Sequence, residues 1–110
     1  MQNANLEQAQ EAGRQGALVA AEHADAEIGE WTTEAAILFV DFARDVKKGE
    51  PFLTEDAREW AEKSGLPPPP DRRAWGFISM SMHRAGHVTQ CGYAPARTSN
   101  GSPKVLWRAT

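Results

Sequence analysis

"KSGLPPPPDRRAWGFI", residues 63–78, sets four consecutive prolines directly ahead of two arginines and a tryptophan. Each proline fixes its own φ near −65° and pushes the residue before it out of the α region. The run cannot be helical, so any helix on either side must stop and restart around it. Two readings are open. A free polyproline II segment would serve as bait for an SH3 or WW domain. A stiff corner would instead hold the angle between two helices, with little chain entropy left to lose. The flanks favour the corner. Thr54 as N-cap, Glu55 and Asp56 in the first turn and Gly65 as the stop predict a helix over residues 55–64. Asp71 then caps a further helix over residues 72–85, closed at Gly86.

Upstream, residues 5–25 predict a helix rich in Ala, Glu and Gln. Ala9, Gly13, Ala17, Ala20 and Ala24 recur on one face, and a stripe of small residues lets helix backbones approach closely. That face suits packing on the body or on a second copy, so residues 5–25 are the candidate homodimer interface. Gly29 breaks the helix. Thr32 or Thr33 caps the next one, which ends at Lys47, Lys48 and Gly49. Ile37, Phe39, Val40 and Phe42 give it a broad apolar surface, with Trp31 as a hydrophobic staple ahead of the cap. Phe52 and Leu53 form a short extended piece.

Downstream of the corner, Trp75, Ile78, Met82 and Ala85 share one helix face, while Arg72, Gly76, Ser79 and His83 line another. "HVTQCGYA" and "KVLWRA" read as two strands, and "PARTSNGSP" between them is a polar loop full of turn formers.

Charge is strongly segregated along the chain. Residues 1–71 hold all fifteen acids and six bases, a net of −9, whereas residues 72–110 hold six bases and no acid, a net of +6. An overall net charge of −3 does not exclude nucleic acid, because binding follows the charge of one face and not the total. The longest unbroken apolar run, residues 35–40, is far short of the roughly 20 residues a membrane span needs. The N-terminus lacks the basic start and apolar core of a secretory signal. One cysteine, Cys91, allows no internal disulfide, so a reducing cytosolic home is expected.

The fold class that follows is α+β, mainly α. Residues 1–30 form a helical extension and residues 31–110 the main domain. Helix, short extended piece, helix, tight corner, helix and hairpin make the plan of a winged helix-turn-helix with a C-terminal β-hairpin wing. The pattern "FLTEDAREWAEKSGLPPPPDRRAWG…RAG…GY…PKVLWRAT" resembles small winged-helix proteins of phages and prophages, over about residues 31–110. The resemblance implies a DNA-linked role in transcription regulation or replication of a mobile element, in the bacterial cytoplasm. This chain departs from the group in the middle of its last helix, where "SMSMH" stands in place of the expected arginines.

Duplex DNA is the expected partner. Arg72 and Arg73 would anchor the amino end of the recognition helix on phosphate or a guanine edge. Ser79, Met80 and His83 would face the groove, with Arg84 flanking them. Arg97, Asn100 and Lys104 in the wing would contact phosphate. The competing class is a winged-helix adaptor or inhibitor that docks on a host protein through its acidic first part, and an exposed patch of Phe77, Met80 and Met82 would favour it. Pairing of the arginines with acids would favour it too. His83, His87 and Cys91 are spaced by four, but Gly86 separates the histidines and no fourth zinc-type ligand is evident, so no metal or cofactor is expected. No phosphate loop, nucleophile elbow or H-E-x-x-H is present, so no catalysis is expected.

Overall fold

A computed structural model describes residues 2–97 and 100–110 of the chain, with side chains described from residue 12 onward. The first helix, α1, runs from Gln2 to Ile28, and α2 runs from Trp31 to Asp41. The break between them needs two residues in the left-handed region, Gly29 at φ 70° and Glu30 at φ 56°. Neither Thr32 nor Thr33 caps α2. The cap comes from α1 instead, where the Asp25 carboxylate accepts the Thr32 backbone N–H and the Thr32 hydroxyl, both at 2.7 Å. A carboxylate already held close by the turn outcompetes a local hydroxyl for the free donors of the first turn. Trp31 does not stand ahead of the cap as a staple either, because Glu30 is the N-cap and Trp31 the first residue of α2. It is fully buried, and its ring meets that of Trp75 edge-on at 5.2 Å.

The α2 helix continues through a π-helical turn, Phe42–Val46, before Gly49 turns the chain with φ 87°. Its apolar surface is divided. Phe39 and Phe42 are buried and pack on Phe52 at 5.4 and 5.2 Å, whereas Ile37 and Val46 are exposed. The short strand β1 is Phe52–Leu53 and α3 is Thr54–Lys63. Here too the capping differs from expectation. Thr54 is already helical, and the Asp56 carboxylate accepts the Leu53 backbone N–H at 2.9 Å. The Thr54 hydroxyl is thereby left available for the interior.

The proline run occupies the corner between α3 and α4, which spans Ala74–Arg84. Gly65 at φ 111° ends α3, Leu66 and Pro69 are buried, and the Trp31 indole donates to the Pro67 carbonyl at 2.9 Å. Pro67, Pro68 and Pro70 are exposed, but buried Leu66 and Pro69 and the bond from the core tryptophan tie the run down as a corner between α3 and α4. Asp71 does not cap α4 as expected, because the helix begins only at Ala74, with Arg73 at its N-cap and no side-chain cap. Asp71 instead fixes the turn just ahead: its carboxylate takes the Arg73 N–H at 2.9 Å, and its carbonyl takes that of Ala74 at 3.1 Å. Within α4, Trp75 and Ile78 are buried and Met82 is half-buried, but Ala85 is exposed as the helix ends.

The strands β2, Val88–Pro95, and β3, Pro103–Ala109, pair as an antiparallel hairpin. β3 also pairs with β1, giving a three-stranded sheet of order β1-β3-β2. The β2–β3 register shifts between Gln90 and Gly92, so Cys91 is the extra residue of a bulge. Tyr93, two residues on, is exposed.

One core joins helices and sheet. It includes Trp31, Trp75, Phe39, Phe52, Ile78, Val88 and Trp107, and α1 contributes Ala20, Ala21 and Ala24 to it. The small residues of α1 bring it against α4, where a Cβ built on Gly76 would lie 3.8 Å from the Ala17 Cβ. Over residues 17–24 the small-residue face is thus taken up inside the molecule. Of the two expected uses of this face, packing on the body is the one these residues take, and the side chains at residues 5–11 lie outside the described residues. No helix among the described residues is long and apolar enough to cross a membrane.

Candidate functional site

Where the start of α3, the first half of α4 and the hairpin meet, they leave a cleft of about 520 Å3. Hydroxyls and indoles fix its floor. The Trp107 indole on β3 donates to the Thr54 hydroxyl oxygen at 3.1 Å, Thr54 and Ser79 hydroxyls lie 2.6 Å apart, and Ser79 donates to the Trp75 carbonyl at 3.1 Å. A hydroxyl has one proton. With that of Ser79 given to Trp75, the Thr54 proton goes to Ser79, and the bonds form a one-way relay across three elements.

This relay corrects one expected DNA contact. Ser79 is 2% exposed and lies inside the molecule, so it is not available to a groove. Thr54, not used in capping, offers the Ser79 hydroxyl a partner, while Arg72 and Gly76 of the same helix face stay exposed. His83 is also turned toward the sheet. It is half-buried, its Nδ1 is 3.3 Å from the Val88 carbonyl, and its ring is 5.4 Å from that of Trp107. His87 and Cys91 take other neighbours: His87 lies 3.3 Å from Arg44 and Cys91 donates to the Leu106 carbonyl.

The cations divide into two groups. Arg72 and Lys104 are exposed on the cleft rim, and neither has an acidic partner among the described residues. Met80, half-buried, lines the same cleft. Arg73 also borders it, but its guanidinium is 2.7 Å from Asp71, which raises the Arg73 pKa and lowers that of the carboxyl. Arg97 is held more firmly. Its side chain contacts Asp56 at 2.6 Å and Glu59 at 3.1 Å, and its backbone N–H donates to Glu55 at 2.8 Å. Hydrogen bonds to the two α3 acids raise its pKa, Asp56 contributing most. The base of the hairpin loop is therefore clamped onto α3. Arg84 is exposed at the end of α4, and Asn100 is exposed in the loop with φ 52°.

One cation of the cleft was not singled out from the sequence. Arg58 is 8% exposed, lines the cleft, and has Glu59 as its ion-pair partner only at 4.0 Å. In "TEDAREWAEK" it reads as one more solvated charge of an acidic helix. The signal that could have found it is its place beside Ala57 and Ala61, both buried. Phe77, Met80 and Met82 are all packed against the core, so they do not form the exposed patch considered for a protein partner. Comparison with known proteins finds no family model, no curated protein and no solved structure that matches this chain.

Proposed function

We propose that this chain is a non-catalytic winged-helix protein that binds duplex DNA, in the regulation or replication of a mobile element. The observation that carries the reading is the pairing of plan and charge. The order α2, β1, α3, α4, β2, β3 with sheet order β1-β3-β2 supports the winged-helix plan on which this reading rests. Arg72 from the start of α4 and Lys104 from the hairpin then stand on one cleft rim, unpaired with acid among the described residues. Two such cations on a rigid scaffold suit two phosphates of one backbone. Arg84 is exposed at the far end of α4, while Arg73 and Arg97 serve to order the corner and the hairpin.

The pairing of Arg97 with Asp56 and Glu59 favours a second reading, an adaptor for a protein partner. Exposed Ile37 and Tyr93 would be its apolar contacts. Fluorescence anisotropy with a mixed-sequence duplex at about 50 and about 200 mM salt separates the two. On the DNA reading affinity falls steeply with salt, and Arg72→Ala with Lys104→Ala flattens the log–log slope by about 1 to 2. Absence of binding at the lower salt would transfer the proposal to the adaptor.

A further inference from the structure

The cleft has features that a duplex lying across its rim does not use. Its volume of about 520 Å3 is in the range of small-molecule sites, and its walls include Trp75, Trp107, Leu53 and Val105. Arg58 borders this apolar space with its one ion-pair contact among the described residues stretched to 4.0 Å. A buried guanidinium without a close counter-charge is a costly arrangement. Trp75, in the same wall, has its indole Nε1–H buried with no acceptor among the described residues. Glu55 is the one acid of the lining, and it accepts the Arg97 backbone N–H. Arg73 is taken by Asp71. Arg58, Arg72 and Lys104 then remain as three cations facing an apolar space, together with an unsatisfied N–H donor.

We infer that this cleft is a binding site for a small anion with an apolar body, its carboxylate or phosphate head held by Arg58, Arg72 and Lys104 and its body set against Trp75 and Trp107. All the unsatisfied groups are donors or cations, so the head must be an acceptor. The Thr54 and Ser79 hydroxyls, Glu55 and Arg73 of the lining are already engaged with protein partners, so the body meets mainly the apolar walls. The inference does not depend on duplex binding, although a bound anion would occupy Arg72 and Lys104 and so oppose phosphate contact by the same side chains.

The test is a 1H–15N NMR titration of the intact chain with 2-naphthoate, 2-naphthamide and inorganic phosphate, read at the indole N–H signals of Trp75 and Trp107. Naphthoate is expected to shift both signals saturably, and to bind at least about tenfold more tightly than the uncharged amide, as a charge-assisted hydrogen bond requires. Arg58→Gln should remove that preference. Met80→Trp, which fills the cleft and leaves every cation in place, should abolish binding, and it keeps the test open if Arg58→Gln does not fold. Equal affinity for acid and amide would overturn the anionic head. Phosphate as effective as naphthoate would overturn the apolar body, and unmoved indole signals would overturn the site.

Discussion

Thr54 shows how one side chain redirects its neighbours. Its hydroxyl, not needed at the start of α3 because Asp56 takes the Leu53 N–H, receives the Trp107 indole and is paired with Ser79. Thr54→Val keeps the shape but leaves the indole donor without an acceptor. Unfolding free energy in urea should fall by about 1–3 kcal/mol. Ser79→Ala removes one member of the relay and should cost about 1 kcal/mol. Because Ser79 is inside, it should leave the salt dependence of duplex binding unchanged; a change in that slope would restore Ser79 as a contact. The relay was hidden in the sequence, where a helical Ser one turn from Gly76 and His83 reads as surface. Periodicity places residues on a helix face but does not say what covers that face.

At the scale of elements, α1 and α4 meet through small residues. Gly76 costs its helix roughly 1 kcal/mol relative to alanine. The Cβ of an alanine there would touch the Ala17 Cβ at 3.8 Å, an ordinary contact. Gly76→Ala is therefore expected to be neutral or to stabilise by up to about 1 kcal/mol, whereas a larger residue such as Leu should push the helices apart and destabilise. Thermal melts of the two variants check the pair. The start of α4 offers a pH test. Arg73 lowers the Asp71 pKa, by its side-chain hydrogen bonds first and its backbone N–H second. A lowered carboxyl pKa means that the folded chain favours the charged form. The Asp71–Arg73 contact is fully formed above the ordinary value of 3.8 and is lost as pH falls through the lowered one. Carboxyl NMR titration should place the Asp71 midpoint below 3.8, and Arg73→Ala should move it back toward that value. A midpoint unmoved by the substitution would remove Arg73 as the cause.

For the whole molecule, the segregation of charge along the chain does not become a segregation of faces. Acids of α3 fold back onto Arg97, and Asp71 holds Arg73, so the basic segment keeps Arg72 and Lys104 as its free cations on the cleft. Nor is the first helix an appendage. Its three buried alanines share a core with Trp31 and Trp75. Deleting residues 1–28 should lower stability by at least about 2 kcal/mol from the lost methyl burial. It should also shift tryptophan emission to the red. An unchanged urea midpoint would make α1 dispensable.

The order of elements, the corner and the hairpin were legible in residues 52–110, because prolines, glycines, caps and β-branched runs act over a few neighbours. The acidic and basic blocks were equally plain. What remained for the tertiary structure was every partnership between distant residues: Asp25 capping α2, Trp31 seated on Pro67, Arg97 tied to Asp56 and Glu59, and Arg58 brought to the cleft. Sequence determines which side chains are able to donate, accept or carry charge. Which of them meet is decided by packing, because burial forces each polar group to find a partner in space and not along the chain.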